Sequence, residues 1–263
     1  MRILITFALA LLTLPAEAKT LCTALADAAS GKMLVQEGDC ETRVTPASTF
    51  KIPLALMGYD SGFLNDEHAP PLPFREGYPD WIKAWRTDID PAAWMKNSVV
   101  WYSQRITENL GEARFRGYVE AFDYGNEDVS GDPGKNNSLE RSWIASSLKI
   151  SPVEQVEFLR KLVRRELPVS AAAYDMTAAI TAQPPLPGGW QLHGKTGSAF
   201  SRKPDGSPDR DRAYGWFVGW ATRGDRTIVF ARLIQTEKRE AIGSGLVARD
   251  AFLKELPGLL PES

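Results

Sequence analysis

Toward both ends of the chain the apolar residues come in short runs, bounded by turn residues, as β-strands require. Residues 20–28 and 32–37 flank Ala29-Ser30-Gly31-Lys32 and predict a hairpin. Residues 190–196 predict a further strand, and 213–222 with 226–235 a second hairpin around Gly224-Asp225. Between these regions the period lengthens. Phe115, Tyr118, Val119 and Phe122 recur at i, i+3, i+4 and i+7, the spacing of one helix face. Ser151-Pro152-Val153-Glu154 is a capping box with proline at the first helical position, and Val156, Leu159, Leu162 and Val163 form the apolar face behind it. Residues 243–256 predict a last helix with Leu246, Val247, Phe252 and Leu253 inside. Residues 66–80 and 200–211, rich in proline, glycine and charge, read as surface loops.

This pattern predicts a mixed α/β fold. Strands from about 19–40 and 188–263 would form a central antiparallel β-sheet flanked by helices on both faces. The part from about 47–187 would be an inserted helical subdomain, and a cleft between the two is a natural place for a site.

Composition then narrows the setting. Met1-Arg2, an apolar stretch from Ile3 to Pro15 and Ala16-Glu17-Ala18 have the layout of a signal peptide cleaved after Ala18. Its apolar core is too short for a lasting span, so no stable membrane anchor is expected. The mature chain, 19–263, would be a single domain in the periplasm or outside the cell. With 31 basic against 33 acidic residues and no basic stripe, nucleic acid is not an expected partner. Eight tryptophans and 43% apolar residues indicate a packed core. The sequence does not distinguish monomer from homodimer. Cys22 and Cys40 lie symmetrically about Gly31, and a hairpin would bring them close, as a disulfide or as two buried thiols. Two histidines and two cysteines offer no metal cluster.

The sharpest chemical signal is Ser48-Thr49-Phe50-Lys51, which opens an apolar helix. Residues i and i+3 share a face, so the Lys51 amine can meet the Ser48 hydroxyl and act as its base if burial keeps it neutral. By itself, Ser48 would also make an ordinary helix cap. Ser98-Val99-Val100 lies in an apolar helical stretch, with a buried core serine as the plain alternative. Lys195-Thr196-Gly197-Ser198 ends a strand. There, Lys195 and the Thr196 and Ser198 hydroxyls can hold a carboxylate, and Gly197 would let a ligand approach the strand. Neither His68 nor His193 completes a Ser-His-Asp triad. His193 reads as a structural or rim residue.

Taken in order, these three segments with Tyr124-Gly125-Asn126 and Trp143 resemble the motifs of class D (oxacillinase-type) serine β-lactamases, within the penicillin-recognising serine enzymes. The stretches 46–53 and 143–151 are especially similar. The resemblance implies a β-lactamase/transpeptidase-like fold and hydrolysis of a small-molecule β-lactam through an acyl-enzyme on Ser48. It implies that Lys51 carries carbon dioxide as a carbamate (N6-carboxylysine), that Trp143 holds that group, and that no other cofactor is needed. Ser98 would relay protons. Backbone N–H groups of Ser48 and Ser198 would form the oxyanion site. Lys195, Thr196, Gly197 and Arg239 would bind substrate, with Lys238 and Arg249 as alternatives to Arg239. Val100 would bound the pocket and Tyr124 would line its floor, unless it is an exposed tyrosine closing a helix. Two rivals share the motifs: a penicillin-binding D,D-peptidase, and a β-lactam sensor domain that acylates without turnover.

Overall fold

The structure, a computed structural model, describes residues 18–239 and 241–261. Apart from Ala18, the leader read over residues 1–18 falls outside them. In chain order the elements are β1 (Lys19–Asp27), β2 (Met33–Gly38), α1 (Lys51–Asp60), α2 (Pro91–Asn97), α3 (Val100–Ala121), α4 (Ser138–Arg141), α5 (Pro152–Val163) and α6 (Ala171–Thr181). Then come β3 (Ala182–Leu186), β4 (Trp190–Arg202), β5 (Pro208–Arg223), β6 (Arg226–Gln235) and α7 (Ser244–Leu259). The strands form one six-stranded antiparallel sheet in the order β2-β1-β6-β5-β4-β3. Its strands come from both ends of the chain, as the pattern predicted, and helices cover both faces.

Alternation along β5 shows how the sheet separates two cores. Trp216, Val218 and Trp220 point into the larger core with the central helices. Phe217 and Ala221 point the other way, into a smaller core closed by Phe252 and Leu256 of α7. A period of two does this because successive side chains leave a strand on opposite faces. α1 is buried nearly all round, as a helix with no polar face must be.

Three readings of the pattern need correction, and one is extended. The 200–211 segment is largely strand: β4 and β5 run on as an exposed ladder, with Ser201 opposite Asp209. Their polar extension covers no core, so no apolar alternation marks it. The helical part ends at Thr181 rather than 187, and β3, containing Pro184-Pro185, edges the sheet. Proline lacks the N–H that a strand paired on both sides needs, which suits an edge and hides the strand from pattern reading. The helix carrying Phe115 to Phe122 begins at Val100 and breaks at Gly111, whose φ is 71°. The inner face of α7 is Gly245, Ala248, Phe252 and Leu256, with Leu246, Val247 and Leu253 only half-buried.

Cys22 and Cys40 are joined as a disulfide with Cα atoms 5.1 Å apart. Gly38 makes this possible. Its φ is 86°, and a Cβ there would lie 2.1 Å from the Leu21 carbonyl oxygen. The chain turns back at that point and places Cys40 over β1. The bridge spans 18 residues. Replacing both cysteines by serine should lower the unfolding free energy by about 3 kcal/mol. Equilibrium denaturation with matched slopes checks this, and an unchanged midpoint would contradict it.

Candidate active site

Residues 47–50 wind as a 3₁₀ turn that continues directly into α1. Ala47 has φ of 49°, a left-handed conformation uncommon for a residue with a side chain. Strain of this kind persists only where the surroundings enforce it. Here they present half-buried Ser48 one turn from Lys51, with Lys51 Nζ 3.4 Å from Ser48 Oγ. Lys51 is entirely buried. Burial, and secondarily the charge of Lys195, holds its pKa well below the usual lysine value, which favours the free amine. Burial, and secondarily Arg249, lowers Lys195 to about 7.

The turn is fixed from below by a buried polar and aromatic frame. Thr49 Oγ1 donates to the Pro46 carbonyl at 2.8 Å, and Gln155 Nε2 donates to Thr49 Oγ1 at 2.9 Å. Gln155 Nε2 also reaches the Tyr124 hydroxyl at 3.3 Å. Phe50 stacks on Trp143 with ring centres 5.6 Å apart and meets Tyr124 edge-on at 5.2 Å. Trp143 is buried, and its carbonyl accepts from Thr45 Oγ1 at 3.0 Å. Val100 opens α3 in the same buried cluster.

Tyr124 is therefore neither exposed nor in contact with the surface of the site. It is fully buried under Phe50 and Thr49, and it supports the floor rather than lining it. Asn126, two residues on, accepts from Lys149 N at 2.8 Å and donates to the Ser147 carbonyl at 2.9 Å, tying down the segment after Trp143. Gln155 was not singled out from the sequence. Its signal is visible in hindsight: a polar residue four before Leu159, on the buried stripe of α5.

Ser98 does not lie within a helix. It ends α2 in a left-handed conformation (φ 58°, ψ 36°), at the corner where the chain turns into α3. Among the described residues it forms no direct hydrogen bond with Ser48, Lys51 or Lys195.

On β4, Lys195 is buried and its Nζ donates to the Thr196 carbonyl at 3.0 Å. Gly197 serves close packing rather than a ligand. A Cβ there would sit 2.9 Å from the Pro46 carbonyl oxygen and 3.2 Å from Thr49 N, so the strand lies directly against the Ser48 turn. The Ser198 hydroxyl accepts from Gly245 N at 2.8 Å and so caps the otherwise unpaired start of α7. That contact fixes the position of the hydroxyl and leaves its own O–H free to donate. His193 stacks on Trp220 at 4.8 Å, its Nδ1 lies 2.9 Å from the Ala178 carbonyl oxygen, and burial lowers its pKa. It is a structural residue, as read. His68 pairs with Asp90 at the surface.

From Ser198 a groove of about 690 Å³ runs along the outer part of β4, between the 141–145 segment and residues 236–239 and 241–244. Arg239 lines it. Arg249, on α7, pairs with Asp250, and its charge also acts on Lys195, so Arg249 rather than Arg239 is the guanidinium beside the Lys195 end of the site. Among the described residues no group of three His, Cys, Asp or Glu side chains can hold a metal ion, and no helix is long and apolar enough to cross a membrane.

Residues 21–257 match the penicillin binding protein transpeptidase domain family. The β-lactamase OXA-9 of Klebsiella pneumoniae is 47% identical over 246 residues, spanning 93% of this chain and 90% of that protein. The crystal structure of the class D β-lactamase OXA-427 superposes with a TM-score of 0.84 at 51% identity, covering 91% of this chain and 99% of that one. The C-terminal domain of the Bacillus licheniformis BlaR penicillin receptor is also similar, with a TM-score of 0.75 at 29% identity and 91% of each chain covered.

The two lysines have a consequence for stability. Lys195 binds its proton less tightly folded than unfolded, so its burial penalty is full below about pH 7 and is relieved as pH rises toward the ordinary lysine value. Lys195→Met should therefore stabilise the chain by roughly 2–4 kcal/mol below neutrality, with the gain vanishing above about pH 10. Denaturation across that range checks the sign. A gain that grew with pH would contradict the assignment.

Proposed function

The chain belongs to the class D serine β-lactamases, and from that premise we propose that Ser48 opens the β-lactam ring while Lys51 accepts its proton. One observation carries the assignment: a fully buried amine, its pKa held well below the usual lysine value, 3.4 Å from a serine hydroxyl at the start of a helix. A serine becomes nucleophilic only when a base lies within reach, and an ammonium is no base.

In the acylation step Ser48 Oγ bonds to the carbonyl carbon, the ring C–N bond breaks, and the nitrogen takes a proton passed by Ser98. Backbone N–H groups of Ser48 and Ser198 stabilise the oxyanion. Lys195, protonated in part near neutrality, holds the ring carboxylate with Thr196 and Arg249, the guanidinium whose charge reaches Lys195. In the second step a water oxygen replaces Ser48 on the acyl carbon, and its proton returns to Ser48 Oγ. The hydrolytic water needs a base that survives acylation, and Lys51 remains in place for both steps.

Carbon dioxide bound covalently to Lys51 would supply oxygen acceptors for the transferred proton. The residues present fit such a group. It needs a neutral amine and a dry wall, and Lys51 is buried next to Phe50, which is stacked on Trp143. The Trp143 indole N–H is a donor with no acceptor role and would hold those oxygens. The leader at 1–18 and the Cys22–Cys40 bridge support action outside the cytoplasm. The likeness to BlaR favours a second reading, acylation without release. Steady turnover of a chromogenic cephalosporin separates the two, because a sensor would stop after one burst.

Ser48→Ala should lower β-lactam hydrolysis by more than about a thousandfold and abolish covalent labelling by penicillin, with the circular dichroism spectrum retained. Near-normal hydrolysis by that variant would remove Ser48 from the mechanism. At fixed pH and ionic strength, stripping dissolved carbon dioxide should slow turnover and bicarbonate should restore it. Trp143→Ala should acylate but release slowly, with partial rescue by bicarbonate. Rates indifferent to bicarbonate in both proteins would contradict the carbamate and leave the serine mechanism standing.

A further inference from the structure

The groove beyond Ser198 has a composition that the hydrolytic chemistry does not require. Trp81, Phe200 and Ile242 are 61%, 41% and 49% exposed, and all three line it. Large apolar side chains held in water around a concavity mark a surface built to be covered. Interleaved with them are guanidinium groups in excess of acids. Arg141 and Arg202 share the single carboxylate of Asp132, at 3.7 Å and 3.9 Å. Arg210 lies over the Phe200 ring, 5.9 Å from its centre. Among the described residues neither Arg210 nor Arg239 forms an ion pair.

The direction of the groove identifies which part of a substrate enters it. With the ring carboxylate at Lys195 and Thr196 and the reacting carbonyl at the Ser198 N–H, the long axis of the bicycle follows β4 outward. The acylamino substituent lies at the end of a penicillin opposite its ring carboxylate. It must therefore pass Ser198 and enter the groove beside Ala199, Phe200 and Ile144. An aryl group there covers Trp81 and Phe200, and an anion on the same side chain reaches Arg210, which pairs with no acid among the described residues.

We infer that this groove selects β-lactams whose acyl side chain carries both an aromatic ring and a second negative charge, with Arg210 as the residue that reads the charge. The inference rests on the β-lactamase reading above and adds a substrate class to it. Guanidinium–carboxylate pairing is charge-assisted, and at this exposed position it is screened by salt.

The test compares benzylpenicillin with its α-carboxy counterpart, carbenicillin. The readout is the ratio of their kcat/KM values, which is indifferent to the amount of active enzyme. In Arg210→Gln the ratio of carbenicillin to benzylpenicillin should fall about tenfold relative to the parent, and in Arg210→Glu further still. Raising the salt concentration should lower the ratio in the parent and leave it flat in Arg210→Gln. A ratio unchanged by either substitution, or an equal salt response in all three proteins, would overturn the inference. A parent protein that turns over neither penicillin would instead sink the hydrolytic reading beneath it.

Discussion

A buried amine must either find an anion or give up its proton, because a charge taken out of water costs several kcal/mol. Lys51 is wholly buried and, among the described residues, no carboxylate pairs with it. Its neighbours are Phe50 and the apolar residues of α1, a helix with no wet face. The charge that acts on it is another cation, Lys195. Both influences push the same way, toward the free base of a residue that in water would be an acid.

Much of the surrounding fold maintains that dryness and the 3.4 Å approach to Ser48. Gly197 lets β4 lie against the Ser48 turn, and Gly245 lets α7 lie against the other side of the same strand, where a Cβ would be 2.5 Å from the Gly197 carbonyl oxygen. Gln155 and Tyr124 hold Thr49 from beneath, and Trp143 closes over Phe50. The Ser198 hydroxyl ends in the α7 cap, which anchors the strand end that a substrate would meet. These contacts set distances, whereas the two lysines set charge.

Reading the sequence located the chemistry better than the scaffold around it. Ser48 and Lys51 could be paired because helical spacing is short-range and strict. The first hairpin, the Ser151–Glu154 box and the strands at 213–235 were legible for the same reason. What failed depended on distant parts of the chain. The corner at Ser98 is left-handed because two helices meet there, which local propensity does not encode. Tyr124 is buried because Phe50, some seventy residues earlier in sequence, packs on it. Gly197 was read as room for a ligand, but the room is filled by the protein's own backbone. The exposed ladder of β4 and β5 buries no core, so its polar side chains gave no sign of strand.

The account rests on Lys51 being uncharged when the site is empty, and that state can be observed directly. Nitrogen NMR of ¹⁵N-lysine protein, in buffer stripped of carbon dioxide, with Lys51→Arg to assign the signal, reports the ionisation of this one amine. The Lys51 nitrogen should show the neutral-amine shift at pH 7, with any titration lying well below the ordinary lysine range. An ammonium signal at neutral pH that titrates where exposed lysines do would contradict the account, because the base beside Ser48 would then not exist.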